Sequence, residues 1–148
     1  LRKGQGIPQN YKYALSYYRK AAKQNYAEAE YKIGVIYREG LGVPGNEARA
    51  FYWWKKAAGH GNVDAQMNLG FMYFKGRGAK KNFVMAYAWS AIAASQKYTG
   101  AKSNKNIVAG LMTSSEIREA KRLAKSYWKK YVEPYQTGSY FRRHKLKP

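Results

Sequence analysis

The chain has 148 residues and 17.0 kDa, a length suited to one domain that buries about two thirds of the surface its unfolded form exposes. Lysine and arginine number 28 against 8 acids, so the formal charge is +20 and an acidic partner is expected. With 45% apolar residues, 15 tyrosines and no cysteine, the composition excludes a disordered polybasic tail, a disulfide framework, thiolate metal sites and cysteine nucleophiles.

The chain opens on Leu1 rather than Met, from which an upstream portion is expected. Along its length one period dominates. Gly4 and Gly6 recur as Gly40 and Gly42 and again as Gly76 and Gly78, each time 36 residues on. In the same phase stand Asn10, Asn46 and Asn82; Ala14, Ala50 and Ala86; Tyr17, Trp53 and Trp89; and the pairs Ala21-Ala22, Ala57-Ala58 and Ala93-Ala94. Each unit predicts two helices. After a first helix near 10–24, a second is expected at 27–39, where Ala29, Ile33, Gly34 and Tyr37 fall at offsets of 0, 4, 5 and 8. Gly40 ends it, and Gly42 with Pro44 keeps the chain turning.

Asn46 then caps a helix near 46–60 whose expected buried stripe is Ala50, Trp53 and Ala57. The pattern repeats at 63–75 and 82–97. There the longest quiet run, Phe83 to Ala94, is interrupted by Tyr87, Trp89 and Ser90 and falls short of the ~18 apolar residues of a membrane span. Residues 101–110 are poorly patterned. Thr113-Ser114-Ser115-Glu116 matches a capping box and starts a helix from Ser114 to about Tyr131. Its apolar stripe is Ile117, Ala120, Ala124, Trp128 and Tyr131, with Arg118, Lys121, Arg122, Lys125 and Lys129 mostly on other faces, as in a terminal cap. Pro134 stops it, and Gln136 to Pro148 forms a basic, aromatic-containing tail.

Catalytic raw material is thin. His60 and His144 have no acid or hydroxyl partner nearby in sequence, and the carboxylates are scattered, so no enzyme, metal or cofactor is expected, and His60 reads as a solvated turn residue. Gly40-Leu41-Gly42-Val43-Pro44-Gly45 satisfies a dinucleotide-loop pattern, but it follows a helix rather than a strand and contains proline, so helix termination explains it. The lysines Lys55, Lys56, Lys80 and Lys81 read as a solvated face.

The pattern Ala-x-Ala-x-x-x-Leu-Gly-x-x-Tyr-x-x-Gly-x-Gly-Val, then Lys-Ala-x-x-Trp-x-x-Lys-Ala-Ala, resembles the Sel1-like repeat family. Residues 27–61 carry it most clearly, through Ala27, Ala29, Ile33, Gly34, Tyr37, Gly40, Gly42, Val43, Ala50, Trp53, Lys56, Ala57, Ala58 and Gly61. Where the family usually has Asp, this chain has Asn10, Asn46 and Asn82. The resemblance implies an all-α, right-handed superhelix of 36-residue helix pairs. It divides into a partial repeat at 1–26, repeats at 27–62 and 63–98, a terminal cap at 99–132, which together form a solenoid of 1–132, and a tail at 133–148.

It also implies a non-enzymatic scaffold that binds a partner protein in its concave face. Expected settings are the bacterial cell envelope, as a regulator, assembly factor or immunity protein against a secreted toxin, in the periplasm or secreted, with the cytoplasm left open. The first helix of each pair is apolar on two opposed faces. Ala65, Leu69 and Tyr73 point one way; Asp64, Met67, Phe71 and Phe74 point the other and align with Glu28, Tyr31, Val35 and Arg38. With Lys75 at the edge, these are the expected partner-binding residues, the alternative for them being packing against an adjoining repeat. A second reading is a nucleic-acid or anionic-surface binder driven by the charge, with Tyr140, Phe141, Arg142, Arg143, Lys145 and Lys147 as the candidate anion-binding tail.

Overall fold

The structure, a computed structural model, describes residues 8–136. Among them it forms seven α-helices, one short 3-10 turn and no strand. The helices are α1 (Pro8–Ala22), α2 (Ala27–Glu39), α3 (Glu47–Gly59), α4 (Val63–Lys75), α5 (Phe83–Ser95), α6 (Ala101–Ala109) and α7 (Ser114–Tyr131), followed by the 3-10 turn Glu133–Tyr135.

Local chemistry sets the boundaries. The side-chain oxygens of Asn46 and Asn82 accept hydrogen bonds of 3.0 Å from the backbone N–H groups of Arg49 and Met85, satisfying donors that a helix start leaves unpaired. Asn62 does the same for Ala65 at 2.8 Å. Gly40 and Gly76 end α2 and α4 at φ of 68° and 70°, left-handed conformations that a Cβ disfavours, and return their N–H groups to Ile36 and Met72. Both bonds of the capping box between Thr113 and Glu116 are made.

Packing follows chain order: α1 on α2, α2 on α3, α3 on α4, α4 on α5. Contact limited to neighbours is the mark of a solenoid of helix pairs. The core is built from small residues that let helices approach: Ala50, Ala57, Ala58 and Ala65 are fully buried with Ile33 and Leu69, and Ala86 is fully buried in a second cluster with Val108 and Ala120. α6 packs on α5, and α7 folds back across α5 to reach α3.

Three sequence expectations are corrected. The poorly patterned stretch 101–110 contains the helix α6, which only Ala101 and Val108 anchor by burial, too few positions for a visible period. In α3 the core tryptophan is Trp54, whereas Trp53 stays half-buried. The positions in phase with Trp53 also differ among themselves: Tyr17 is 70% exposed and Trp89 only 3%, because the rings of Tyr127 and Tyr131 cover Trp89 at 4.8 and 5.5 Å. His60 is not merely solvated, for the reason given below.

Candidate functional site

The groove with the most developed lining lies between α2 and α4, with a volume of about 240 Å³. Its floor is Trp54. The indole stacks on Tyr31 with centroids 6.2 Å apart and donates from Nε1 to the Tyr31 carbonyl at 3.1 Å. Trp54 reaches this place because Gly34, one helix away on α2, leaves room for the ring. One period later the matching pair is Gly70 and Ser90, so the aromatic floor is not repeated between α4 and α5.

Val35, Asn68, Phe71 and Met72 complete the walls, and Phe71 is 38% exposed at the mouth. The rim is Arg38, Glu39 and Arg77. Arg77 meets Glu47 at 2.7 Å, and Arg38 meets Glu39 at 3.2 Å and Glu47 at 3.9 Å. Two cations are thereby matched by two carboxylates, and each of these partly exposed pairs contributes little, about 0.2–1 kcal/mol. The groove is therefore aromatic and close to neutral. The Lys75 ammonium lies over Phe71 at 5.9 Å and over Phe74 at 5.3 Å, extending the surface beyond the mouth.

Burial raises the pKa of the Tyr31 hydroxyl, with the nearby carboxylates Asp64 and Glu28 adding to the effect and a hydrogen bond with Asn68 opposing it. Tyr98 donates to Asp64 at 2.8 Å, and its pKa is pushed up to about 12, first by burial and then by Asp64. Both phenols therefore stay protonated and able to donate at neutral pH.

Of the residues expected from sequence, the groove brings together Tyr31, Val35, Arg38 and Phe71. The others lie outside its lining. Glu28 meets Lys32 at 3.8 Å and accepts from Asn62 at 3.4 Å; Asp64 is held by Tyr98; Met67 is half-buried on α4. Phe74 turns toward Phe83, 6.0 Å away, and packs on the Ala86–Tyr87 cluster, so it serves the core rather than the groove. The tail residues Tyr140, Phe141, Arg142, Arg143, Lys145 and Lys147 lie outside the described residues. Sequence reasoning missed Trp54, Asn68, Met72, Glu39 and Arg77. The change from Trp54 to Ser90 across one period was the available signal for the floor.

The other polar constellation is His60 with Glu30, Nδ1 to Oε1 at 2.7 Å. Glu30 is fully buried, so no substrate reaches its carboxylate, and its Oε2 has no hydrogen-bond partner. One period on, Gln96 donates to Gln66 at 2.7 Å, and Gln66 also donates to the carbonyls of Ala58 and Tyr131. The same register thus ties the joint of each helix pair, once with a carboxylate and once with neutral amides. An orphaned buried acceptor costs about 1–3 kcal/mol. Glu30→Gln, which puts an amide able to donate in place of the orphaned acceptor, as Gln66 has one period on, is expected to raise the thermal midpoint by a few degrees in circular dichroism. A lowered midpoint would show that the carboxylate is needed where it stands. Among the described residues no three His, Cys, Asp or Glu side chains converge as metal ligands.

The Sel1 repeat model matches residues 1–26, 27–62 and 63–98. The chain belongs to the Sel1 repeat family. Two solved structures are similar to it. The c5321 protective antigen of uropathogenic Escherichia coli, which displays the Sel1-like repeat fold, is 31% identical with a TM-score of 0.78, covering 93% of this chain and 29% of that one. A Sel1 repeat protein from Oxalobacter formigenes is 31% identical with a TM-score of 0.61, covering 63% of this chain and 38% of that one. This chain thus spans roughly a third of the length of these relatives. No curated protein matches it. The Sel1 repeat solenoid is in general a protein–protein interaction module, and it is typically not catalytic.

Proposed function

We propose that this Sel1 repeat solenoid is a non-enzymatic docking scaffold that holds a segment of a partner protein in the α2–α4 groove. The observation that carries the reading is the half-open aromatic slot, in which Tyr31 and Phe71 flank the Trp54 floor while the charged rim is already matched. A segment bringing an apolar or aromatic side chain, flanked by polar groups, suits it. The groove itself does not select an acid. The +20 charge instead favours an acidic partner by steering the encounter over longer range.

The setting proposed is the bacterial cell envelope, in the periplasm or beyond it, in an assembly, regulatory or toxin-neutralising role. Its supports are the family and the bacterial origin of both solved relatives. No helix among the described residues is long and apolar enough to cross a membrane.

A photo-crosslinking phenylalanine analogue placed at Phe71 is expected to capture one partner from the native host. The same analogue at Tyr52, exposed on α3 outside the groove, is expected to capture none. Phe71→Ala should weaken the captured partner about 10-fold or more. Equal capture at both positions, or an unchanged affinity, would refute the groove.

A further inference from the structure

The positive charge is not spread evenly over the fold. Glu28, Glu30, Glu39, Glu47 and Asp64 all stand on α2, α3 or α4. By contrast α7 carries Arg118, Lys121, Arg122, Lys125, Lys129 and Lys130 against Glu116 and Glu119. Between α5 and α7 lies a second concavity, a trench of about 380 Å³. Its walls are Ala91 and Ile92 of α5 and Ala124 and Trp128 of α7. Along one side run Lys121, Lys125 and Lys129 at four-residue steps, which sets the three side chains on one face of α7 at intervals of about 6 Å along the helix axis. All three are exposed, and none is in an ion pair among the described residues.

We propose that this α5–α7 trench docks an acidic amphipathic helix of a partner protein, its apolar stripe on Ala91, Ala124 and Trp128 and its carboxylates on the lysine row. Charge and shape select this occupant together. Residues 137–148 hold four Lys or Arg and no acid, so that segment is not the acidic complement the lysine row calls for. A second copy of the chain at +20 is repelled. Nucleic acid would match the lysines but leave the apolar walls wet, because a phosphate backbone brings no hydrocarbon to fill them. A helix with acids four residues apart meets both demands. The site is separate from the α2–α4 groove and does not rest on it.

The test uses a fluorescent probe peptide of about 18 residues, with leucines at three- and four-residue spacing and glutamates four apart on both flanks, read by anisotropy at physiological salt. Binding to the native chain is expected. The variant Lys121→Glu/Lys125→Glu/Lys129→Glu is expected to lose at least 30-fold in affinity with an unchanged circular dichroism spectrum. Ser95→Trp, which fills the trench and keeps the lysines, is expected to lose about 10-fold, and so is a control peptide with serine for every leucine. The proposal is overturned if the probe does not bind, if the serine control binds equally well, or if Ser95→Trp leaves affinity intact. It is likewise overturned if a DNA duplex of about 20 base pairs or a phosphatidylserine vesicle binds the native chain more tightly than the probe and loses it in the triple variant. That last outcome would assign the row to polyanions.

Discussion

Gly34→Ala is expected to lower the unfolding midpoint by about 10 °C and to spoil the α2–α4 groove in the same step. A Cβ on Gly34 collides with the Trp54 indole, which is buried to 5% exposure and has nowhere to retreat. To admit the methyl group the ring must swing out of its pocket. It would then lose its hydrogen bond to the Tyr31 carbonyl, worth about 1 kcal/mol, and its stack on Tyr31, worth about 0.5–1.5 kcal/mol. Overpacking strain adds about 1–3 kcal/mol, and the better helix propensity of alanine returns about 1 kcal/mol. The net loss is about 3 kcal/mol, and each kcal/mol shifts the midpoint of a chain this size by about 3–4 °C.

A double-mutant cycle isolates the cause. Trp54→Ala alone should destabilise by about 3–5 kcal/mol. In that background Gly34→Ala should become neutral or mildly stabilising, since only its helix propensity remains. If Gly34→Ala costs the same with and without the indole, the contact is not what makes glycine necessary there.

That contact also marks where sequence reading reaches its limit. The helix ends were legible because their signals act within one turn: Gly40 and Gly76 take left-handed backbone, Asn46 and Asn82 accept from N–H groups three residues on, and Thr113 with Glu116 closes a capping box. The solenoid was legible because those signals recur every 36 residues. Burial was less so, since phase says which way a residue points but not what covers it. Trp53 shares its phase with Trp89, yet α7 is what seals Trp89. α6 escaped because two buried residues in nine make no period. The groove was half legible. Tyr31, Val35, Arg38 and Phe71 follow from the second face of α2 and α4, whereas the rim pair Arg77–Glu47 joins residues 30 apart with no local sign. His60 and Glu30 are also 30 apart with no local sign, and the pairing in the same register of Gln96 with Gln66 is visible only in the structure.

Ending the chain after Met112, so that α7 and the capping box are lost, is expected to abolish cooperative folding at 37 °C. In a solenoid the terminal unit has one neighbour, and the element that closes it determines whether its apolar face meets water. Here α7 is that element. It covers Trp89 with Tyr127 and Tyr131, buries Ala120 fully, and supplies the Tyr131 carbonyl that accepts from the buried Gln66 amide. Baring Trp89 and its neighbours, and losing the burial of Tyr127, Trp128 and Tyr131, forfeits about 1.5–3 kcal/mol per large side chain. The sum rivals the roughly 5–15 kcal/mol by which a domain is stable at all. The loss should be graded along the chain, because contacts run between neighbours: hydrogen exchange should find α5, which packs directly on α7, unprotected, while α2, packed on α1 and α3, retains partial protection. The triple lysine-to-glutamate variant provides the contrast. It alters only exposed positions of α7, keeps the covering aromatics, and should unfold within about 3 °C of the native chain. A sharp transition in the truncated chain near the native midpoint would mean that α5 and α6 close the solenoid by themselves and that α7 serves chiefly its basic face.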